Sequence, residues 1–251
     1  MCMFSARRPA GILGALFTPR VQVSGTRIFG RCDGATQSLA YSMRLRTRTE
    51  LAMVLPIPIA LGTGDDAVEF VDLGAAPRLF DQLAALFAVA MPQAKGVSRG
   101  LAAPATLVVH SVGAFDASFV PTLRDFARLD PRFRLPDEVW SALPRYADWG
   151  FAVFTLRKGD HRVHPMAFRF PTRDPARTFF PTVHVHDGEV RAEASFDHEL
   201  YWQGDADAPS DERSDFDASA ALEEQSRRIV RAAPVRRRIM RGRYRNDDVW
   251  I

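Results

Sequence analysis

The chain has 251 residues, of which 47% are apolar, so it can bury a core without disulfide staples. Its formal net charge is only +3, a small excess for a protein that binds polyanions. Its two cysteines, Cys2 and Cys32, give neither a disulfide framework nor a Cys-x-x-Cys ligand pair, which favours a reducing compartment. No apolar run reaches the ~20 residues that cross a bilayer, so we expect no transmembrane segment.

Residues 1–20 form a separate N-terminal segment in the predicted organisation. Arg7 and Arg8 precede an apolar stretch at 10–17, the order found in a secretory signal peptide. No small-x-small cleavage site follows this stretch. We therefore expect a cytoplasmic protein.

The predicted core domain spans residues 21–203 and begins with β structure. Apolar patterning predicts strands over 21–30, 37–46 and 50–60. Cys32, Asp33 and Gly34 form the turn that would join the first two strands. Because Pro56 and Pro58 cannot donate to a β ladder, the third strand should end at a sheet edge or leave the sheet there.

Short helices and one strand are predicted next. Apolar stripes of helical spacing indicate helices over 77–91, 122–129 and 137–147, and a strand is expected over 106–112. Pro136 and Asp137 are start signals for the last of these helices.

Two hairpins complete the predicted core. The first would pair 149–157 with 162–170 across Gly159 and Asp160. The second would turn at Asp187 and Gly188 and have one apolar and one polar face. The apolar face would carry Val183, Val185, Val190, Ala192, Ala194 and Phe196. The predicted fold class is α+β: an antiparallel or mixed sheet from the N- and C-terminal hairpins, with helices packed on one face.

The composition changes after residue 203. Residues 204–217 are acidic and poor in apolar side chains, which predicts a linker. Residues 218–251 are expected to form a helix over 218–232 and then a basic extension that ends in Trp250 and Ile251.

Several short segments between residues 51 and 185 resemble an uncharacterised bacterial domain family of unknown function. They are Met53-Val-Leu-Pro-Ile-Pro-Ile59, Val112-Gly-Ala-Phe115, Leu143-Pro-Arg-Tyr146 followed by Gly150 and Phe151, and Pro165-Met-Ala-Phe-Arg-Phe170. The resemblance implies a bacterial protein and no particular activity. Members of that family usually look secreted, whereas we expect no secretion signal in this chain.

The polar face of the second hairpin suggests a metal site. His184 and His186 would project from the same side of one strand, as imidazole ligands of a divalent ion such as zinc must. Further ligand candidates are Glu189, Asp187, His164 and His198. Strict pairing places His198 on the opposite face unless a bulge intervenes. The alternative is a solvated polar face, with His184 opposite Arg191 and His186 opposite Glu189.

Cys2 is a candidate catalytic nucleophile. If Met1 is removed, the cysteine acquires its own α-amine as a base, as in N-terminal nucleophile hydrolases. The alternative is an incidental cysteine at the second position, since the sequence identifies no partner for it.

The basic extension offers a surface to phosphates or to an acidic partner, with Tyr244 available for stacking. Its arginines are Arg236, Arg237, Arg238, Arg241, Arg243 and Arg245. The favoured interpretation is internal: the acidic residues between 205 and 217 neutralise these charges, and Trp250 docks on the body.

The function class that these observations favour is a non-catalytic binding or interaction domain. The sequence contains no Gly-x-Ser-x-Gly elbow, no Walker A loop, no Gly-x-Gly-x-x-Gly motif and no His-Glu-x-x-His motif. The alternative is a hydrolase, either metal-dependent through the His-x-His face or cysteine-dependent through Cys2.

Overall fold

The computed structural model describes residues 3–5, 21–87, 116–186, 188–204 and 211–251. Among them, 44% lie in strands and 15% in helices, so the chain is mostly β and the α+β prediction is wrong. The helices between residues 122 and 147 are short because Pro131, Pro136 and Pro144 divide this region into separate turns. The strand expected over 106–112 lies outside the described residues.

The bounds of the elements are as follows. The strands are β1 (Met3–Ser5), β2 (Gln22–Asp33), β3 (Thr36–Thr47), β4 (Leu51–Ile57), β5 (Glu69–Val71), β6 (Ala117–Val120), β7 (Gly150–Leu156), β8 (Gly159–Arg162), β9 (Met166–Pro171), β10 (Phe179–Phe180), β11 (Glu193–Gln203), β12 (Glu212–Arg213), β13 (Arg236–Arg245) and β14 (Val249–Trp250). The α-helices are α1 (Leu79–Ala85), α2 (Asp137–Ala142) and α3 (Ala220–Gln225), and 3₁₀ helices occupy Leu123–Arg128, Pro131–Phe133 and Pro144–Tyr146. None of the helices in the described part of the chain is long and apolar enough to span a bilayer.

Two large sheets organise the described residues. The smaller has the order β1-β4-β7-β6, and the larger has the order β12-β13-β11-β2-β3-β9-β5, with β8 also paired to β3. β10 and β14 form a separate two-stranded pair. In the larger sheet, β11 runs parallel to β2 and antiparallel to β13. β11 is therefore an interior strand, and β13 lies beside it towards the edge.

The hairpin of β2 and β3 is confirmed. The register places Cys32 opposite Gln37 and Asp33 opposite Thr36, so the turn lies where the sequence predicted it. Gly34 adopts φ +57°, which an L side chain rarely adopts, and this explains the glycine. β4 also forms, and it ends at Ile57, one residue before Pro58.

The first predicted C-terminal hairpin is wrong. β7 pairs with β4 and β6, whereas β9 pairs with β3 and β5. The two strands lie in different sheets, and their apolar side chains meet across the core, with 5.9 Å between the ring centroids of Phe154 and Phe168. Both strands are buried on both faces. Their apolar composition is therefore compatible either with pairing in one sheet or with packing against each other from two sheets.

The second predicted hairpin is also wrong. Val185 makes only an isolated bridge, with Met3, and β11 begins at Glu193. β13 occupies the antiparallel position beside β11 that the sequence analysis assigned to residues 182–186. The side chain of Asn246 holds the preceding segment instead: it accepts from the His184 amide at 2.7 Å and donates to the carbonyls of His184 and Arg191, both at 3.0 Å.

The larger sheet is buried on both faces near its centre. One face packs against the smaller sheet through residues such as Leu39, Leu200 and Trp202. The other face lies under α1 and α3, which contribute Leu83 and Leu222. This helix-covered face continues along β11 and β13 beyond the helices, where its side chains are exposed.

The C-terminal part of the chain joins the larger sheet. Glu212 and Arg213 pair with Arg237 and Arg236, and the Ser214 amide donates to the Val235 carbonyl at 2.8 Å. The helix in this part, α3, is shorter than the predicted 218–232. The acidic residues 211–217 therefore lie against the sheet, and residues 205–210 of the expected linker lie outside the described residues.

Candidate binding surface

β13 has one edge that is only briefly paired. Its inner edge is paired with β11 from Arg236 to Arg245, whereas β12 covers only Arg236 and Arg237 on the outer side. Within the described residues, the outer edge of residues 238–245 has no strand partner. The segment contains no proline to interrupt the ladder, and its Ile239 and Tyr244 side chains favour strand structure.

The alternation of the ladder determines which backbone groups point outwards. The Asn246 amide donates to the Ala192 carbonyl at 2.9 Å, which continues the ladder with β11. On the outer side, away from β11, the Ser214 amide donates to the Val235 carbonyl. Since consecutive residues of an antiparallel strand direct their N–H and C=O groups alternately to the two sides, odd-numbered residues of β13 face the outer edge. These residues are Arg237, Ile239, Arg241, Arg243 and Arg245.

The same odd-numbered residues place their side chains on the helix-covered face. Arg237 lies over the ring of Phe87 at 4.3 Å, whereas Met240, of opposite parity, is only 9% exposed and belongs to the core between the sheets. Ile239 is 37% exposed, and Arg241, Arg243 and Arg245 are also exposed. The open edge therefore combines outward backbone groups with a row of arginines.

The arginines of the extension fall into an anchored group and an exposed group. Arg238 makes two bonds, of 2.6 and 2.8 Å, to the buried carboxylate of Asp211. Arg237 pairs with Glu212, and Arg236 donates to the Gly204 carbonyl at 3.2 Å. These three guanidinium groups hold Gly204, Asp211 and Glu212 in place beside β13.

The exposed arginines, Arg241, Arg243 and Arg245, form few and weak ion pairs with the described residues. Arg243 pairs with Glu193 at 3.0 Å, and Arg245 pairs with Asp247 at 3.5 Å. The side chains of Arg243 and Arg245 are 77% and 86% exposed, and ion pairs at such exposure contribute little. Arg241 has no ion pair with any described residue. These three arginines are therefore available to an acidic partner.

A cleft of about 550 Å³ adjoins the end of β13. Arg243, Glu193 and Asp197 line it together with the histidine segment. Arg243 is paired with Glu193, and the Asp197 carboxylate accepts from the Gly25 amide at 2.6 Å. Since charges of both signs line the cleft and are already paired, the cleft favours no single class of charged ligand.

The structure brings together three of the histidines proposed as metal ligands. His184 and His186 lie on the same side of their segment, with 5.6 Å between ring centroids and 15° between ring planes. The ring of His198 is 5.2 Å from that of His184, although strict hairpin pairing would have separated them. Among the described residues, no group of three or more His, Cys, Asp or Glu side chains is arranged to hold a metal ion.

The remaining metal-ligand candidates lie elsewhere. Glu189 pairs with Arg191 at 2.7 Å on the surface. The Nδ1 atom of His164 is 3.1 Å from the Pro165 carbonyl, and His164 lines a different pocket, with Phe70 and Phe154. Asp187 lies outside the described residues.

The histidine cluster has the properties of a packed aromatic layer. The His184 ring stacks on Phe196 with 4.4 Å between centroids. Burial lowers the pKa of His184 to about 2, and burial also lowers the pKa of His198 well below its ordinary value. Both imidazoles are therefore neutral at physiological pH.

The catalytic candidate Cys2 lies outside the described residues. Cys32 is a half-buried thiol, and burial raises its pKa above the ordinary value. A thiol with a raised pKa carries less thiolate, the nucleophilic form. Cys32 is therefore not an activated nucleophile.

Sequence reasoning missed a buried carboxyl group. Asp248 accepts hydrogen bonds from the Tyr146 hydroxyl and from the amides of Thr182 and Val183, the amides at 2.9 and 3.3 Å. Burial raises the pKa of Asp248 to about 6. An aspartate near the end of a chain gives no sequence signal of burial, because its partners are remote in sequence.

Comparisons with known proteins give no family. No family model matches the chain, and no curated protein matches it. The chain is similar to the crystal structure of baculovirus P35, with a TM-score of 0.46 and 12% identity over 92% of this chain and 96% of that chain. A mutated baculovirus P35 after caspase cleavage gives a TM-score of 0.46 and 12% identity over 90% of this chain and 98% of that chain. These values are too low to establish a shared fold, and the resemblance to a bacterial domain family stays a prediction.

Proposed function

We propose that the chain is a non-catalytic interaction domain that binds an extended segment of another protein by strand addition to β13. The observation that carries the proposal is the outer edge of residues 238–245, which has no strand partner among the described residues. In strand addition, main-chain hydrogen bonds provide affinity, and the side chains of alternate residues provide specificity. The outward N–H and C=O groups of Ile239, Arg241 and Arg243 and the outward N–H of Arg245 supply the main-chain part, whereas the Arg245 carbonyl already accepts from the Asp247 amide at 2.9 Å.

The other sheet edges among the described residues have fewer backbone groups available to a partner strand. β1 and β5 have 3 residues each, and β6 has 4. Short edge strands provide few outward backbone groups and are one way in which proteins avoid edge pairing. The outer edge of β13, which has no described strand partner over residues 238–245, is the edge best suited to hold a partner strand.

Charged side chains on an edge strand also have a protective role, because they oppose pairing with a second copy. Two β13 edges placed side by side would set arginine against arginine, and like charges directly opposite each other destabilise a sheet. An acidic strand meets no such repulsion. The arginines would therefore oppose pairing with a second copy of the chain and still allow an acidic strand to bind.

The alternative function, a hydrolase, stays a prediction, and it depends on Cys2 or on a metal held by the His-x-His segment. The imidazoles of His184 and His186 stack with 5.6 Å between ring centroids, and no group of three or more metal-ligating side chains occurs among the described residues, so this alternative has no specific support. A cytoplasmic location is likewise proposed, on the sequence argument alone.

A proline variant separates strand addition from simple charge attraction. Arg241→Pro removes an outward N–H without removing a bond to β11, and proline is tolerated on edge strands. The matched control, Arg241→Ala, removes the same charge but keeps the N–H. Ten-residue peptides would be selected from a random library on the wild-type protein, and hydrogen exchange would be measured at the β13 amides.

We expect the selected peptides to slow exchange at the amides of Ile239, Arg241 and Arg243. Arg241→Pro should bind them at least several-fold more weakly than Arg241→Ala, because one main-chain bond is lost. Thermal melting of both variants would show that the fold is retained. Equal affinity of the two variants, or protection only at sites remote from β13, contradicts strand addition.

A further inference from the structure

We infer, on the basis of the proposed strand addition, that the partner is an acidic segment with a definite alternation. Its side chains on the helix-covered face are acidic opposite Arg241, Arg243 and Arg245. Its side chains on the opposite face are apolar, with the largest beside Gly242.

The arginine row has the spacing of a strand. Alternate residues of a strand are ~6.7 Å apart on one face, so an added strand presents its own alternate side chains at the same spacing. Opposite charges on directly paired residues stabilise a sheet. Acidic residues at every second position of the partner would thus each meet one of Arg241, Arg243 and Arg245.

The arginines already have acidic neighbours on their inner side. Arg241 is opposite Asp197 in β11, and Arg245 is opposite Glu193. The Asp197 carboxylate is occupied by the Gly25 amide, and Glu193 pairs with Arg243. An acidic partner strand would lie on the outer side of the row, where the guanidinium groups are exposed and no described carboxylate pairs with Arg241.

The opposite face of the edge is apolar and contains a gap. Met240 and Tyr244 flank Gly242, and the Tyr244 ring is 38% exposed and packs edge-on against Phe196 with 5.4 Å between centroids. A Cβ atom at Gly242 would meet no atom within 4 Å. A large side chain on a neighbouring strand commonly covers a glycine at a sheet edge. We therefore place a phenylalanine-sized side chain of the partner beside Gly242.

Backbone chemistry favours a peptide over a nucleic acid at this edge. The outward groups of β13 are both N–H donors and C=O acceptors. Phosphate oxygens only accept hydrogen bonds, so contacts with the phosphates of a nucleic acid would leave the carbonyl groups without donors. A peptide strand satisfies both kinds of group.

The test uses three seven-residue peptides. The first places Glu opposite Arg241, Arg243 and Arg245, Phe opposite Gly242, and Val at the other positions. The second replaces each Glu with Gln, and the third has the composition of the first with its three Glu residues in one block. Dissociation constants would be measured by fluorescence anisotropy at low salt, with a ten-residue oligothymidylate as the nucleic-acid probe.

We expect the alternating Glu peptide to bind about tenfold more tightly than either of the other peptides, since each opposite-charge pair adds a fraction of a kcal/mol. The triple variant Arg241→Gln, Arg243→Gln and Arg245→Gln should lose this preference. A control triple variant, Arg46→Gln, Arg78→Gln and Arg124→Gln, makes the same charge change elsewhere and should keep it.

The outcomes separate the inference from the proposed function. If the Gln or the block peptide binds as tightly as the alternating Glu peptide, the alternation is wrong while strand addition stands. If the seven-residue peptides do not bind but library peptides still slow hydrogen exchange at the β13 amides, the alternation is again wrong. If oligothymidylate binds more tightly than the Glu peptide and Arg241→Pro binds it as well as Arg241→Ala does, the partner is a nucleic acid. If no peptide protects the β13 amides, strand addition itself fails.

Discussion

The hydroxyl group of Tyr146 donates a hydrogen bond to the carboxylate of Asp248, which follows it by 102 residues in the chain. The other carboxylate oxygen accepts from the Thr182 amide at 2.9 Å. Asp248 thus joins the turn before β7, the segment that leads to the histidine cluster, and the start of β14. Because burial raises the pKa of this carboxyl group, the link is sensitive to pH.

The pH dependence of stability follows from the carboxyl group of Asp248. Burial raises its pKa to about 6 from the ordinary 3.8, so the folded protein holds the proton more tightly than the unfolded chain does. Its contribution to stability is complete below pH ~4 and is lost as the pH rises through ~6, a change of about 3 kcal/mol. Denaturant unfolding of wild type and Asp248→Asn from pH 4 to 7 would measure it. A free-energy difference between the two proteins that does not vary with pH contradicts the prediction.

Removal of the Tyr146 hydroxyl should destabilise the fold. Tyr146→Phe leaves a buried oxygen of Asp248 without its side-chain donor, which costs about 1–3 kcal/mol. Tyr244→Phe is the matched control, because the Tyr244 ring lies at the open edge and is 38% exposed. Chemical denaturation at pH 7 compares the two. Equal denaturation midpoints for both variants would show that the hydrogen bond from Tyr146 to Asp248 does not stabilise the folded protein.

Loss of the Asn246 side chain should loosen the backbone at His184 and Arg191. Asn246→Ala removes one acceptor and two donors that hold the backbone of His184 and Arg191, and we expect about 2–3 kcal/mol of destabilisation. Hydrogen exchange should quicken most at the His184 amide. Asn246→Asp keeps the acceptor for that amide and should protect it better than Asn246→Ala does. The reverse order of protection would show that the acceptor is not what holds His184.

Gly30 allows β2 to approach the segment that leads into β10. A Cβ atom at Gly30 would lie 2.6 Å from Cγ2 of Thr178 and 3.1 Å from the Phe180 ring. Gly30→Ala should therefore destabilise the protein by about 1–3 kcal/mol through overpacking. Adding Thr178→Ser removes the nearest methyl group and should restore part of the loss. Gly64→Ala, where a Cβ atom meets nothing within 4 Å, is the control, and a loss of similar size there would mean that overpacking is not the cause.

The sequence correctly predicted the elements that depend only on residues close to one another in the chain. The turn at Cys32, Asp33 and Gly34 needs only a positive φ at Gly34 and two adjacent runs of strand-forming residues, and the β2–β3 hairpin formed as expected. The end of β4 before Pro58 has the same origin, because proline lacks the amide that a ladder requires. These features depend on neighbours within a few residues of one another.

The candidate surface could be predicted only in part. The arginines between 236 and 245 are evident from the sequence, and their alternation on a strand follows from the period of two. The division into anchored and exposed arginines could not be predicted, because it depends on where Asp211 and Glu212 pair. The turn signal at Asp187 and Gly188 was misleading, because a turn dipeptide does not specify which strand lies beside β11.

The sequence by itself determined which residues alternate between two faces and where the chain turns sharply, since both depend on local backbone geometry. The tertiary structure decided which strands are neighbours: β7 and β9 lie in different sheets, β13 lies beside β11, and the outer edge of residues 238–245 has no strand partner in the described part of the chain. Alternation specifies the buried face of a strand but not the strand that pairs with it, because backbone hydrogen bonds are the same for every sequence. Tertiary packing likewise buried Asp248 beside Tyr146, a contact that no local pattern encodes.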